Sequence, residues 1–149
     1  MNQYIDIYNA DTYFEGRYNS PLWNPQLSDT VKNQLLITAT RLIDSLNFEG
    51  TKTVITQTLE FPRDNDVDIP QDIKDACCEV AYGLLDGFNP ELEARNLSSP
   101  QLSFDRSRIN TNTQSLHEAR VHGIPSVVAW DKLRCYLRDG STITLSRVD

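Results

Sequence analysis

The sequence predicts a mainly α protein: a small helical bundle with a minor β-hairpin and extended arms. Three observations lead there. Apolar residues recur at three- and four-residue steps over 31–46 and again over 73–85. The period shortens toward alternation in 51–61, 102–109 and 142–148. Proline, glycine and asparagine cluster between these runs rather than inside them. With 149 residues the chain has the length of one domain. A chain of that size hides roughly two-thirds of its unfolded surface, so it needs no disulfide or metal to hold a core.

In order along this single domain, residues 1–27 form an N-terminal segment with a short helix and a loop. Asn9-Ala10-Asp11 offers the cap for a helix carrying Tyr13 and Phe14. The stretch RYNSPLWNPQ, residues 17–26, reads as a loop pinned by Trp23. The helical core spans 28–90. Ser28 opens its first helix, whose apolar face is Val31, Leu35, Ala39, Leu42, Ile43 and Leu46, with Gly50 as the stop. An extended arm, 51–63, follows and ends on Phe61-Pro62-Arg63, because proline fixes its own φ and restricts the residue before it.

The acidic run DNDVD, residues 64–68, reads as a solvated loop; it lacks the twelve-residue spacing and closing glutamate of a calcium loop. Pro70 starts a second helix with Asp72 and Asp75 near its positive end and Ile73, Ala76, Cys77, Val80, Ala81, Leu84 and Leu85 inward. Gly87 and Pro90 close it, and 91–97 reads as a further helical turn. The remainder, 98–149, carries the hairpin around Leu102 and Phe104, a turn at Gly123-Ile124-Pro125, a last helix from Ser126 and a C-terminal arm.

Composition narrows the function. Net charge is −7, the wrong sign for a free-standing nucleic-acid binder, whose affinity comes largely from Lys and Arg against phosphate. Three cysteines, Cys77, Cys78 and Cys135, have neither disulfide-framework nor zinc spacing and suit a reducing compartment. No run is long and apolar enough for a membrane span, and the N-terminus does not read as a signal peptide. His117 and His122 share no helical face with each other and no nucleophile spacing. Phosphate-loop, dinucleotide and HExxH patterns are absent. The expectation is therefore no enzyme, no catalytic residues, no metal and no cofactor. Arg106 and Arg108 alternate on the hairpin, and Arg134 and Arg138 stand four apart on the last helix; with the chain at −7, ion pairs between subunits suit them better than DNA.

A set of short motifs carries a resemblance. In order they are Ala10-Asp11-Thr12-Tyr13-Phe14, Arg17 and Trp23; Leu36-Ile37-Thr38-Ala39-Thr40-Arg41-Leu42-Ile43-Asp44; Phe48-Glu49-Gly50; Gln57-Thr58-Leu59-Glu60-Phe61-Pro62-Arg63; and Ile69-Pro70-Gln71-Asp72-Ile73-Lys74-Asp75-Ala76 with Glu79. Together they resemble the head–tail connector (adaptor, head-completion) family of tailed bacteriophages, whose members also carry the label DnaT-like single-stranded DNA-binding. The likeness covers roughly residues 9–88, with Phe48 and Phe61 where that family often has tryptophan.

The resemblance implies a structural virion protein of the neck, assembled in the host cytoplasm. It implies a homo-oligomeric ring, a dodecamer, beneath the portal protein, extending the DNA channel and meeting tail or nozzle proteins. DNA passes through the lumen without tight binding. On that reading Gln57, Leu59, Phe61, Pro62 and Arg63 form an inter-subunit arm. Trp130, Leu133, Arg134, Tyr136, Leu137, Ile143 and Leu145 dock on portal or tail. The alternative is a single-stranded DNA-binding or primosome-like module.

Overall fold

A computed structural model describes residues 2–89, 92 and 119–138. Helix α1 spans Ile7–Gly16, α2 Asp29–Asp44, α3 Gln71–Leu85 and α4 Val127–Leu133, with a 3₁₀ turn at Arg134–Tyr136. The mainly helical bundle expected from periodicity is what the described residues form. They contain no strand, only isolated antiparallel bridges, Phe48 with Leu137 and Lys52 with Arg63. The helical turn at 91–97 apart from Leu92, the hairpin around 102–109 with Arg106 and Arg108, His117 and the arm at 142–148 lie outside the described residues.

Helix α3 is the axis. Ala76, Cys77, Cys78, Glu79, Val80 and Ala81 are buried in succession, so the middle of α3 is enclosed all round rather than on one stripe. Helices α2 and α4 pack on it, and α1 touches both α2 and α3. Gly83 is where α3 meets the loop before α4: a Cβ there would stand 2.7 Å from the Pro125 ring. At the other end of α3, the Lys132 amine sits 3.5 Å from Asp72 and 3.7 Å from Asp75. The two helices therefore run antiparallel.

Local chemistry sets the helix ends. Ser28 and Ser126 cap as their positions suggest: each hydroxyl accepts from a backbone N–H three residues on, Val31 at 3.4 Å and Ala129 at 3.2 Å. Helix α1 starts earlier than its sequence suggests. Asp6 is the cap, accepting from the Asn9 N–H at 2.8 Å, and Asn9-Ala10-Asp11 lies inside the helix. Helix α2 ends at Asp44, not at Gly50; Gly50 instead takes a positive φ of 78° in the following loop, against the Asp64 carboxylate.

The inward face of α2 is rotated from the apolar reading. Leu36, Ala39 and Ile43 are buried with Lys32 and Thr40, Leu35 and Leu42 are half-buried, and Val31 is exposed. Polar partners explain the rotation. The Thr40 hydroxyl donates to the Leu36 carbonyl and accepts from the Tyr4 N–H, and the Lys32 amine reaches Asp11 at 2.8 Å. A buried polar group is tolerable when it is bonded.

Candidate functional site

The stretch expected to be an outstretched arm doubles back on its own chain. The Thr53 N–H donates to the Pro62 carbonyl at 3.1 Å, and the Asp64 N–H to the Thr51 carbonyl at 2.8 Å. Gln57 braces the bend from inside: its carbonyl oxygen accepts from the Val54 N–H at 3.0 Å, and its amide nitrogen donates to the Leu59 and Pro62 carbonyls, each at 2.9 Å. Leu59 and Phe61 are buried. The Phe61–Pro62 peptide is cis. The Phe61 ring meets Phe48 at 4.7 Å, Tyr136 at 5.5 Å and Tyr4 at 6.1 Å, all edge-on.

Arg63 ties the two limbs of this loop together and is itself buried. Its Nε donates to the Glu49 carbonyl at 2.9 Å. Its terminal nitrogens reach the Gly50 carbonyl and the Glu60 carboxylate, both at 2.6 Å, and the Phe48 carbonyl at 3.5 Å. The planar guanidinium suits this fan of acceptors; an ammonium does not. Of the five arm residues, Gln57, Leu59, Phe61, Pro62 and Arg63, all make these bonds or contacts inside one chain. What the loop offers outward is its tip, Val54 and Ile55.

Two further clamps use the N-terminal motif. The Glu79 carboxylate, buried in α3, accepts from the Tyr13 hydroxyl at 2.7 Å and from Arg17 at 2.7 and 3.1 Å. Arg17 also lies 4.5 Å over the Tyr82 ring. The Glu79 hydrogen bond raises the Arg17 pKa, while burial raises that of Tyr13. Asp11 accepts from the Trp23 indole at 2.7 Å as well as from Lys32, and Trp23 stacks on Phe14 at 4.5 Å. Trp23 does pin its loop. Tyr4 donates to Asp44, whose carboxyl is raised by burial.

The docking residues separate. Trp130 and Leu133 are buried between α4 and the core, which removes them from the surface of the chain. Tyr136 and Leu137 are half-buried, against Phe61 and Phe48. Arg134 is exposed, 3.9 Å from Asp131. Ile143 and Leu145 lie outside the described residues. His122 is exposed and stacks on Trp130 at 4.9 Å.

An open groove of about 620 Å³ runs between the N-terminal segment and the start of α3, lined by Tyr4, Ile5, Tyr13, Val67, Ile69 and Lys74 among others. Among the described residues no group of three ligating side chains could hold a metal. No helix of the described residues is long and apolar enough to cross a membrane.

Electrostatics follow from the clamps. Arg17, Lys32, Lys52, Arg63 and Lys132 are engaged with carboxylates of their own chain. The exposed cations among the described residues are Arg41, Arg120, Arg134 and Arg138. Asp64, Asp66, Asp68 and Asp72 are exposed around the entry to α3, and Asp6, Glu15, Asp29 and Glu49 are exposed elsewhere.

Residues 1–98 match the family described as "Putative DnaT-like ssDNA binding protein". The chain belongs to that family. No curated protein and no solved structure matches it. The matched span contains all the clamps built on Asp11, Glu79 and Arg63, together with the whole of α1, α2 and α3. Sequence reasoning missed the pairing of Arg17 with Glu79 and of Lys32 with Asp11. The available signal was the line Lys32-Leu36-Thr40, spaced by four on an otherwise apolar face.

Proposed function

We propose that this chain is a structural connector of a tailed bacteriophage, assembling as a ring beneath the portal and joining head to tail around a DNA channel. One observation carries the reading: Arg17, Lys32, Lys52 and Arg63 of the family-matched segment are each paired with an acid of their own chain, and although Arg41 is exposed, the exposed charge of the described residues is mainly acidic. Such a surface repels phosphate rather than gripping it. With −7 per copy, a ring of about twelve copies would carry on the order of −80 formal charges, and DNA would slide past. The motif resemblance supplies the remaining parts of the proposal: the portal and the tail or nozzle proteins as partners, and the virion neck as location.

The second reading, a single-stranded DNA-binding or primosome-like module, is favoured by the description of the family to which the chain belongs. It calls for aromatic platforms beside a positive groove. The exposed aromatics Tyr8 and Tyr18 are available for stacking, but the clamped cations are not available for phosphate.

Titration of a fluorescent oligothymidine with the purified chain at low and at physiological salt separates the two. The connector reading expects no saturable binding at physiological salt. Tight binding that weakens steeply with salt would replace it with the second reading. Co-sedimentation with purified portal protein tests the connector directly.

A further inference from the structure

The loop 51–63 is held more firmly than a surface loop needs, and its tip is apolar. Ile55 is 93% exposed, beside exposed Val54. The Thr53 hydroxyl donates to the Asp66 carbonyl at 3.0 Å, which brings this tip against the next loop, where Val67 is 89% exposed. Asp64, Asp66 and Asp68, all exposed, flank Val67 in sequence, and Asp66 and Asp68 make no ion pair among the described residues. The result is a braced apolar knob in an acidic setting, three residues before Pro70 and so at the N-terminal end of α3. Bracing lowers the ordering cost of any contact the knob makes.

The opposite end of α3 carries a second exposed apolar patch. Gly83 there meets Pro125, and the chain on either side of Pro125 presents Val121 and Val128, 55% and 51% exposed. Val121 comes one residue before His122 and Val128 two before Trp130, and those two rings stack. Arg120, exposed and without an ion pair among the described residues, adjoins Val121. Asp86, the C-cap of α3, lies at the same end, so the positive charge is local to Arg120.

We propose that the knob of Val54, Ile55 and Val67 docks on the Val121–Val128 patch of a second copy of this chain, with Arg120 facing Asp66 and Asp68. The inference rests on the reading that copies assemble into a ring. A helix of fifteen residues separates the surfaces by about 22 Å, so one chain cannot satisfy its own pair. Distinct surfaces at opposite ends make a head-to-tail interface, which closes into a ring or runs on as a filament.

The test uses two variants of the full chain, Ile55→Asp and Val128→Asp, both at exposed positions and both checked for fold by circular dichroism. Sedimentation velocity over a concentration series reads assembly. The wild type should form oligomers larger than dimers. Each variant alone should lose them, with self-affinity down by at least about tenfold. An equimolar mixture should stop at the dimer, because one variant keeps an intact patch and the other an intact knob. Oligomers unchanged in both variants would overturn this pairing and leave the ring reading standing. A wild type that stays monomeric at every concentration would also overturn it, and the oligonucleotide titration then decides whether the ring reading fails too. A mixture that assembles no further than either variant alone refutes the head-to-tail geometry.

Discussion

Arg63 shows how one side chain can decide the course of a loop. It gathers three consecutive carbonyls, those of Phe48, Glu49 and Gly50, onto the same guanidinium that holds Glu60. Removing it strands those acceptors and leaves Glu60 with Lys52 alone. Arg63→Ala should cost about 3 kcal/mol in urea unfolding, and Arg63→Lys should recover little, since an ammonium cannot span the fan. Asp44 behaves differently, because burial raises its carboxyl above the ordinary range in the folded chain. The unfolded chain releases that proton first, so Asp44 lowers stability as pH climbs from the unfolded value through the folded one. Asp44→Asn still accepts from Tyr4. Relative to wild type it should gain stability between strongly acidic and neutral pH, as followed by urea titrations across that range.

At the scale of elements, α3 is the piece around which the rest is placed, and its closest approach is at Gly83. Gly83→Ala should push the Pro125 loop away and cost about 1–3 kcal/mol, read as a lowered melting temperature, although alanine favours the helix itself. The helices were legible because Ser28, Ser126 and the three-and-four spacing are local signals, each written within a few residues of what it controls. The loop 51–63 was not. Its residues suit extended backbone one at a time, but its path is set by Arg63 reaching carbonyls 13 to 15 positions back. Nothing in the alternation of Val54, Ile55, Leu59 and Phe61 encodes that reach. The same limit explains Trp130 and Leu133: an aromatic and a leucine three apart on a short helix suit docking as well as packing, and only the position of α3 shows that they face inward.

Across the whole molecule, charge is sorted by depth: mixed and paired inside, mainly negative outside. Paired interior charges are screened less than exposed like charges, so moderate added salt should raise the melting temperature by easing surface repulsion. A scan of thermal unfolding against sodium chloride checks this. The sorting extends to sulfur. Cys77 and Cys78 are sealed between the helices, with the Cys77 thiol pushed up to about 11 by burial and Cys78 raised for the same reason, while Cys135 stands in solvent. A maleimide at neutral pH should therefore tag one sulfur promptly and the remaining pair only when the bundle comes apart. Mass spectrometry of that second addition would give the protein a built-in clock for its own opening, with no engineered probe.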